Sequence, residues 1–153
     1  MFEPRTLFIL ACSGKKTKGA AAAGHLYQGD LFKKSLAYAR KQGAKEADII
    51  ILSAKHGVLR LGDVIAPYDM TLNNFSMRKR KAWNRTTAQQ LRAYLYESED
   101  TGDKVVCLAG AKYVAPVDLV ANELTIGIEK PLQGLGIGKQ LAWLTNELTG
   151  ESK

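Results

Sequence analysis

Three uniformly apolar runs punctuate the chain, Thr6 to Cys12 (TLFILAC), Asp48 to Ala54 (DIIILSA) and Lys104 to Ala109 (KVVCLA), and each opens into glycine and polar residues. Runs of this length without polar alternation predict strands buried on both faces of a parallel sheet. Between them apolar residues recur at helical spacing. Gly29-Asp30 caps a helix over Leu31 to Gln42, with Leu31, Phe32, Leu36 and Ala39 near one face and Gly43 ending it. Ser76 caps a longer helix reaching about Glu97, its buried stripe being Trp83, Ala88, Leu91 and Leu95. A helix over Lys112 to Glu123 starts or breaks near Pro116, a short strand follows at Leu124 to Ile128, and a last helix spans Ile137 to Leu148 with Leu141, Leu144 and Leu148 on one face. Lys55 to Asn74 reads as one long polar loop containing Gly57, Gly62 and Pro67, and long structured loops tend to carry function. The alternation predicts an α/β fold: a single three-layer domain over residues 1–153, with a mostly parallel sheet of about four strands flanked by helices.

Composition narrows the function classes. With 153 residues and 46% hydrophobic content the chain can bury a core without cross-links. Glu3 and Pro4 near the start do not resemble a secretory leader, and no segment is apolar enough to span a membrane. Cys12 and Cys107 both lie in strand-like runs, which suits reduced thiols, so a cytoplasmic location is expected. Lys and Arg number 22 against 15 Asp and Glu, a net charge of +7 that favours a polyanionic partner. Neither cysteine has a partner at ligand spacing and the histidines lie in different segments, so no metal site and no cofactor is expected.

In a parallel α/β sheet, ligands bind outside the carboxyl ends of the strands. The polar residues of this chain collect there. Cys12, Ser13, Lys15 and Lys16 follow the first strand and offer a thiol, a hydroxyl and two ammonium groups beside amides freed by Gly14, which suits anion binding or nucleophilic attack. Ser53, Lys55 and His56 follow the second, with His56 a candidate acid or base, whereas His25 sits in a plain surface setting. Further along, Arg60 and Asp63 suit mutual pairing, while Tyr68, beside Asp69, can stack on a base and donate a hydrogen bond. Gly110, Lys112 and Tyr113 follow the third strand. Arg78-Lys79-Arg80-Lys81, with Trp83 and Arg85, puts cations where they oppose the helix dipole, which favours a contact with a phosphate backbone. Gly134, Gly136 and Gly138 with Lys139 can hold a phosphate at a helix start or serve close helix packing, but they match neither a Walker A loop nor a dinucleotide fingerprint.

The run Leu52-Ser53-Ala54-Lys55-His56-Gly57-Val58-Leu59-Arg60, continuing to Asp63, Ile65 and Pro67-Tyr68, resembles the central signature of the peroxide-stress YaaA family. Ser13-Gly14-Lys15-Lys16-Thr17 resembles that family's early Ser-x-x-Lys-Thr turn, and Tyr27-Gln28-Gly29-Asp30 its Tyr-x-Gly-Asp stretch. The Cys12-Ser13 segment with its lysines is also similar to the catalytic segment of archaeosine synthase. The chain is shorter than typical members, carries His56 where they have an aromatic residue, and has no recognisable helix-hairpin-helix element. It looks most like the small bacterial and phage branch of that superfamily. The first resemblance implies DNA binding and protection from oxidative damage; the second implies chemistry on a nucleobase. The expectation is a nucleic-acid-binding protein, of DNA before RNA, that modifies or excises a base. Cys12 and Lys16 are its candidate nucleophiles, Ser53 and His56 their partners, and Tyr27 and Tyr68 ligand contacts. The alternatives are a non-catalytic DNA-binding module and an enzyme on free nucleotides. Oligomeric state is left open.

Overall fold

The computed structural model describes residues 6–96 and 104–150. Seven strands and five helices are present among them: β1 (Thr6–Ala11), β2 (Ala21–Ala22), α1 (Ala23–Leu26), α2 (Asp30–Lys41), β3 (Ile49–Ser53), β4 (Gly57–Arg60), β5 (Val64–Ile65), α3 (Met77–Tyr96), β6 (Lys104–Cys107), α4 (Ala115–Leu124), β7 (Gly127–Glu129) and α5 (Ile137–Thr149). The main sheet has five strands in the order β4-β3-β1-β6-β7, parallel except for β4, which runs antiparallel to β3. The apolar runs therefore form the three central strands, as their lack of alternation predicts.

Two expectations are corrected. The stretch from Lys55 to Asn74 is not one loop: Gly57–Arg60 is a fifth strand of the sheet, and Val64–Ile65 pairs with Ala21–Ala22 in a separate two-stranded ribbon. Gly57 and Leu59 face the core while Val58 and Arg60 are more exposed, the period-two pattern of an edge strand. The fourth helix begins at Ala115 instead of Lys112, with Pro116 in its first turn, where its missing N–H costs nothing. Glu97, the anticipated end of α3, lies outside the described residues, as do residues 1–5.

Alternate residues of the strands feed two separate apolar clusters. Phe8, Leu10, Ile49 and Ile51 pack with Phe32, Leu36 and Ala39 of α2 and Leu144 of α5. Leu7, Ile9, Ile50 and Leu52 pack with Trp83, Ala88, Leu91 and Leu95 of α3 and Val117 and Val120 of α4. Ser76 caps α3 as anticipated, its Oγ accepting from Lys79 N–H at 3.1 Å. A forked Arg92–Glu123 pair, at 2.8 and 3.1 Å, ties α3 to α4.

Candidate functional site at the carboxyl rim of the sheet

β1 is followed by α2, which belongs to the first cluster, and the adjacent β6 by α4, which belongs to the second. Neighbouring parallel strands whose connections depart in this divergent way define a topological switch point, and the crevice beyond their carboxyl ends is where open α/β sheets bind ligands. Cys12 stands just beyond β1 and Tyr113 a short turn beyond β6, and the Cys12 thiol lies 3.4 Å from the Tyr113 hydroxyl. Cys12 is half-buried, whereas the other thiol, Cys107, is fully covered inside β6 and pushed up to about 11 by that burial. Of the two, only Cys12 is placed to react.

Beside Cys12 three hydroxyls form a cluster. Tyr68 Oη lies 2.6 Å from Ser53 Oγ and 2.6 Å from Tyr27 Oη. The backbone dictates its polarity. Ser53 Oγ already accepts from the N–H groups of Lys55 and His56 at 3.2 and 3.1 Å, so both of its lone pairs are used and its own proton must go to Tyr68. Burial, foremost, raises both Tyr27 and Tyr68, and for Tyr68 the adjacent Cys12 adds to the effect, so both phenols stay protonated at neutral pH. Ser53 also bears on the Tyr27 hydroxyl, so the three groups form a closed cluster; Tyr27 is fully buried and Tyr68 half-buried, which makes Tyr68 the phenol that faces outward. Tyr113 is likewise raised, by burial and then by Cys12.

Cations border this group. Lys16 Nζ sits 4.4 Å from the Tyr68 ring centroid and 5.9 Å from that of Tyr27, and it donates to Gly14 O at 3.3 Å. Lys55 Nζ lies 5.7 Å from the Tyr68 ring. The Lys16 loop is held by the segment ahead of α2: Lys16 bridges to Tyr27, Thr17 N–H donates to Leu26 O, and Gln28 N–H to Lys15 O. Ser13 Oγ accepts from Gly29 N–H at 3.1 Å and donates to Lys15 O. A Cβ on Gly29 would stand 2.9 Å from Ser13 Cβ, so glycine permits this approach.

The His56 and Tyr68 rings stand nearly perpendicular with centroids 5.4 Å apart, and burial, then Lys55, lowers the His56 pKa. Its turn is shaped by α3. Gly57 has φ +74°, Gln90 Oε1 accepts from Val58 N–H at 2.8 Å, and Gln90 Nε2 donates to His56 O. Trp83 Nε1 donates to Ser53 O at 2.9 Å.

The fold thus brings together Cys12, Lys16, Tyr27, Ser53, Lys55, His56 and Tyr68, seven of the positions singled out from sequence. Ser13 serves the loop, and Lys15 and Asp69 are exposed. Lys112 is exposed, its ammonium donates to Asn73 Oδ1, and its carbonyl accepts from Arg80; the next residue, Tyr113, is the one that reaches Cys12. Arg78, Lys79 and Lys81 are exposed at the start of α3. Arg60 does not pair with Asp63 through its guanidinium, which lies over the Tyr94 ring; Asp63 accepts from the Arg60 backbone N–H instead. Gly136 caps α5, and Gly138 and Lys139 lie exposed in its first turn. A Cβ at Gly136 or Gly138 would meet nothing within 4 Å, so close packing does not explain those glycines. Among the described residues no cluster of three or more His, Cys, Asp or Glu could hold a metal, and no helix is long and apolar enough to cross a membrane.

The model of a family of unknown function, DUF6884, matches residues 7–146, which takes in every element from β1 to most of α5. No curated protein matches the chain.

Proposed function

Because the chain belongs to DUF6884, a family of unknown function, the site itself must supply the reading, and we propose that it is a nucleic-acid-binding protein acting on a nucleobase or nucleotide at the β1–β6 crevice. One observation carries this. A thiol, a half-buried phenol and a lysine ammonium held over that phenol's ring meet at a switch-point crevice. The phenol matches a base carbonyl, the ammonium a phosphate, and the thiol an electrophilic carbon. Lys16, seated on the π-face of Tyr68, acts as a cation, which leaves Cys12 as the nucleophile. The resemblance of the Ser53 to Tyr68 segment to YaaA proteins agrees with this reading. So does the layering: α2 and α5 feed one cluster and α3 and α4 the other, which supports the three-layer arrangement common to nucleotide-binding sheets.

The test is mass spectrometry of nucleosides from DNA and RNA incubated with the protein and with its Cys12→Ser and Lys16→Met variants. A modified or missing base with the parent, lost in Cys12→Ser, supports the proposal. No altered nucleoside, together with no affinity for DNA, RNA or nucleotides, overturns it.

The exposed cations Arg78, Lys79 and Lys81 favour a second reading, a DNA-binding module without chemistry. Under that reading, reversing them to Glu abolishes DNA affinity and its salt dependence together, and Cys12→Ser changes nothing.

A further inference from the structure

A second cavity, of about 330 Å³, opens between the β3–β4 turn and α3. None of Cys12, Lys16, Tyr27 or Tyr68 lines it. One wall follows from helical spacing: Lys79, Trp83 and Thr87 succeed one another every fourth residue and so stack along one side of α3, with Phe75 just ahead of the helix and Met70 completing the apolar surface. The turn contributes Lys55 and His56.

Two residues that line the cavity, Thr87 on α3 and His56 on the turn, each carry a buried polar atom with no hydrogen-bond partner among the described residues, Thr87 Oγ1 and His56 Nε2. Thr87 is 0% exposed, so its hydroxyl has no solvent partner in the unliganded protein and gains one only when its side chain turns toward a group seated in the cavity. Buried polar groups are almost always paired, because an unmade hydrogen bond keeps its full desolvation cost. Two such groups on the two elements that frame one cavity point to a partner that arrives with a ligand. The surroundings describe that ligand. Phe75 and Trp83 give aromatic surface, and Lys79 Nζ stands exposed 4.4 Å from the Phe75 ring centroid, with the exposed Lys55 on the other side.

We infer that this cavity is a nucleotide pocket, in which a planar base packs against Phe75 and Trp83, its polar edge meets Thr87 Oγ1 and His56 Nε2, and its phosphate meets Lys79 and Lys55. A threonine hydroxyl and a neutral imidazole can each donate or accept, so the pair accommodates the mixed donor and acceptor edge of a base. The pocket adjoins that site through the Lys55–His56 turn and through Trp83, which donates to Ser53 O, but its occupation requires none of Cys12, Lys16, Tyr27 or Tyr68 and so does not depend on the reaction proposed above.

The chain has two tryptophans, and Trp143 packs on Tyr38 in the other apolar cluster, so a Trp143→Phe background makes Trp83 the sole reporter. Its fluorescence is followed while AMP, GMP, CMP and UMP are added, with calorimetry in parallel. We expect a saturable change with at least one monophosphate. Thr87→Val should weaken it by about tenfold while raising the melting temperature of the unliganded protein, because the orphan hydroxyl is gone. Ala82→Phe, at the pocket lining, should block binding without touching either polar atom. Lys79→Glu should weaken monophosphates more than the matching nucleosides. No saturable response to any of the four by either method overturns the inference, as does unchanged affinity in both Thr87→Val and Ala82→Phe. Normal binding with no altered nucleoside in the incubation above would leave the pocket standing and remove the reaction.

Discussion

Gly57→Ala offers the sharpest test of how the site is held. At φ +74° a side chain costs about 1–2 kcal/mol of backbone strain. The new Cβ would also overlap Gln90 Oε1 and stand 3.0 Å from Gln90 Cδ, so the glutamine must swing away. Doing so breaks its bonds to Val58 N–H and His56 O, which stand at 2.8 and 3.3 Å, for about another 1–2 kcal/mol. The total, about 2–4 kcal/mol, corresponds to a melting temperature lowered by about 5–15 °C for a chain of this size. Urea denaturation of Gly57→Ala, Gln90→Ala and the double variant measures the parts separately. In the Gln90→Ala background the glycine substitution should cost only its backbone strain, so the double variant should lose less than the sum of the singles by about 1–2 kcal/mol. A single-variant loss under about 0.5 kcal/mol, or strictly additive losses, would refute the account, because either result means that Gln90 does not brace the turn.

Ser53→Ala removes the acceptor of the half-buried N–H groups of Lys55 and His56 and the proton donated to Tyr68, so urea denaturation should show a loss of about 1–3 kcal/mol. Cys107 is raised from 9.0 to about 11 in the folded protein, so stability should hold below pH 9 and fall by about 2–3 kcal/mol as pH rises through 11; in Cys107→Ala that part of the fall should vanish. His56 is lowered from 6.5, so the stability it contributes is present above pH 6.5 and lost as pH falls through the folded value; His56→Gln should flatten that acidic limb in a pH series of melts.

The central strands were legible because Ile49 to Leu52 and Leu7 to Leu10 are buried on both faces, which leaves no polar alternation to confuse them with helices. Helix α3 was legible from Ser76 and from its stripe Trp83, Ala88, Leu91 and Leu95, every member of which is buried. β4 was not, since four residues containing a glycine and an arginine carry too little periodicity to outweigh the surrounding turn residues. Two-residue β2 and β5 exist only through each other. Within the site, Cys12, Ser53 and Tyr68 stood out because each lies in or near a loop that follows an apolar run. Tyr113 was passed over for Lys112, because which of two adjacent residues points into a crevice depends on the helix start, and that start was read three residues early. Thr87 and Gln90 gave no sign at all. They sit on a helix, and their roles arise from a turn more than thirty positions away.

The junction of α2 and α5 has a consequence for how the chain is made. Lys34 Nζ reaches Thr145 Oγ1, Lys41 Nζ reaches the carbonyls of Glu147 and Leu148 at the end of α5, and Tyr38 lies against Trp143. These partners are separated by 105 to 111 residues, so closing the loop between them is entropically expensive and falls late on any folding route. During synthesis β1 and α2 emerge long before α5, and Phe8, Phe32 and Leu36 must wait with one apolar flank uncovered. That interval is when the nascent protein is most open to chaperones and to association with its own copies.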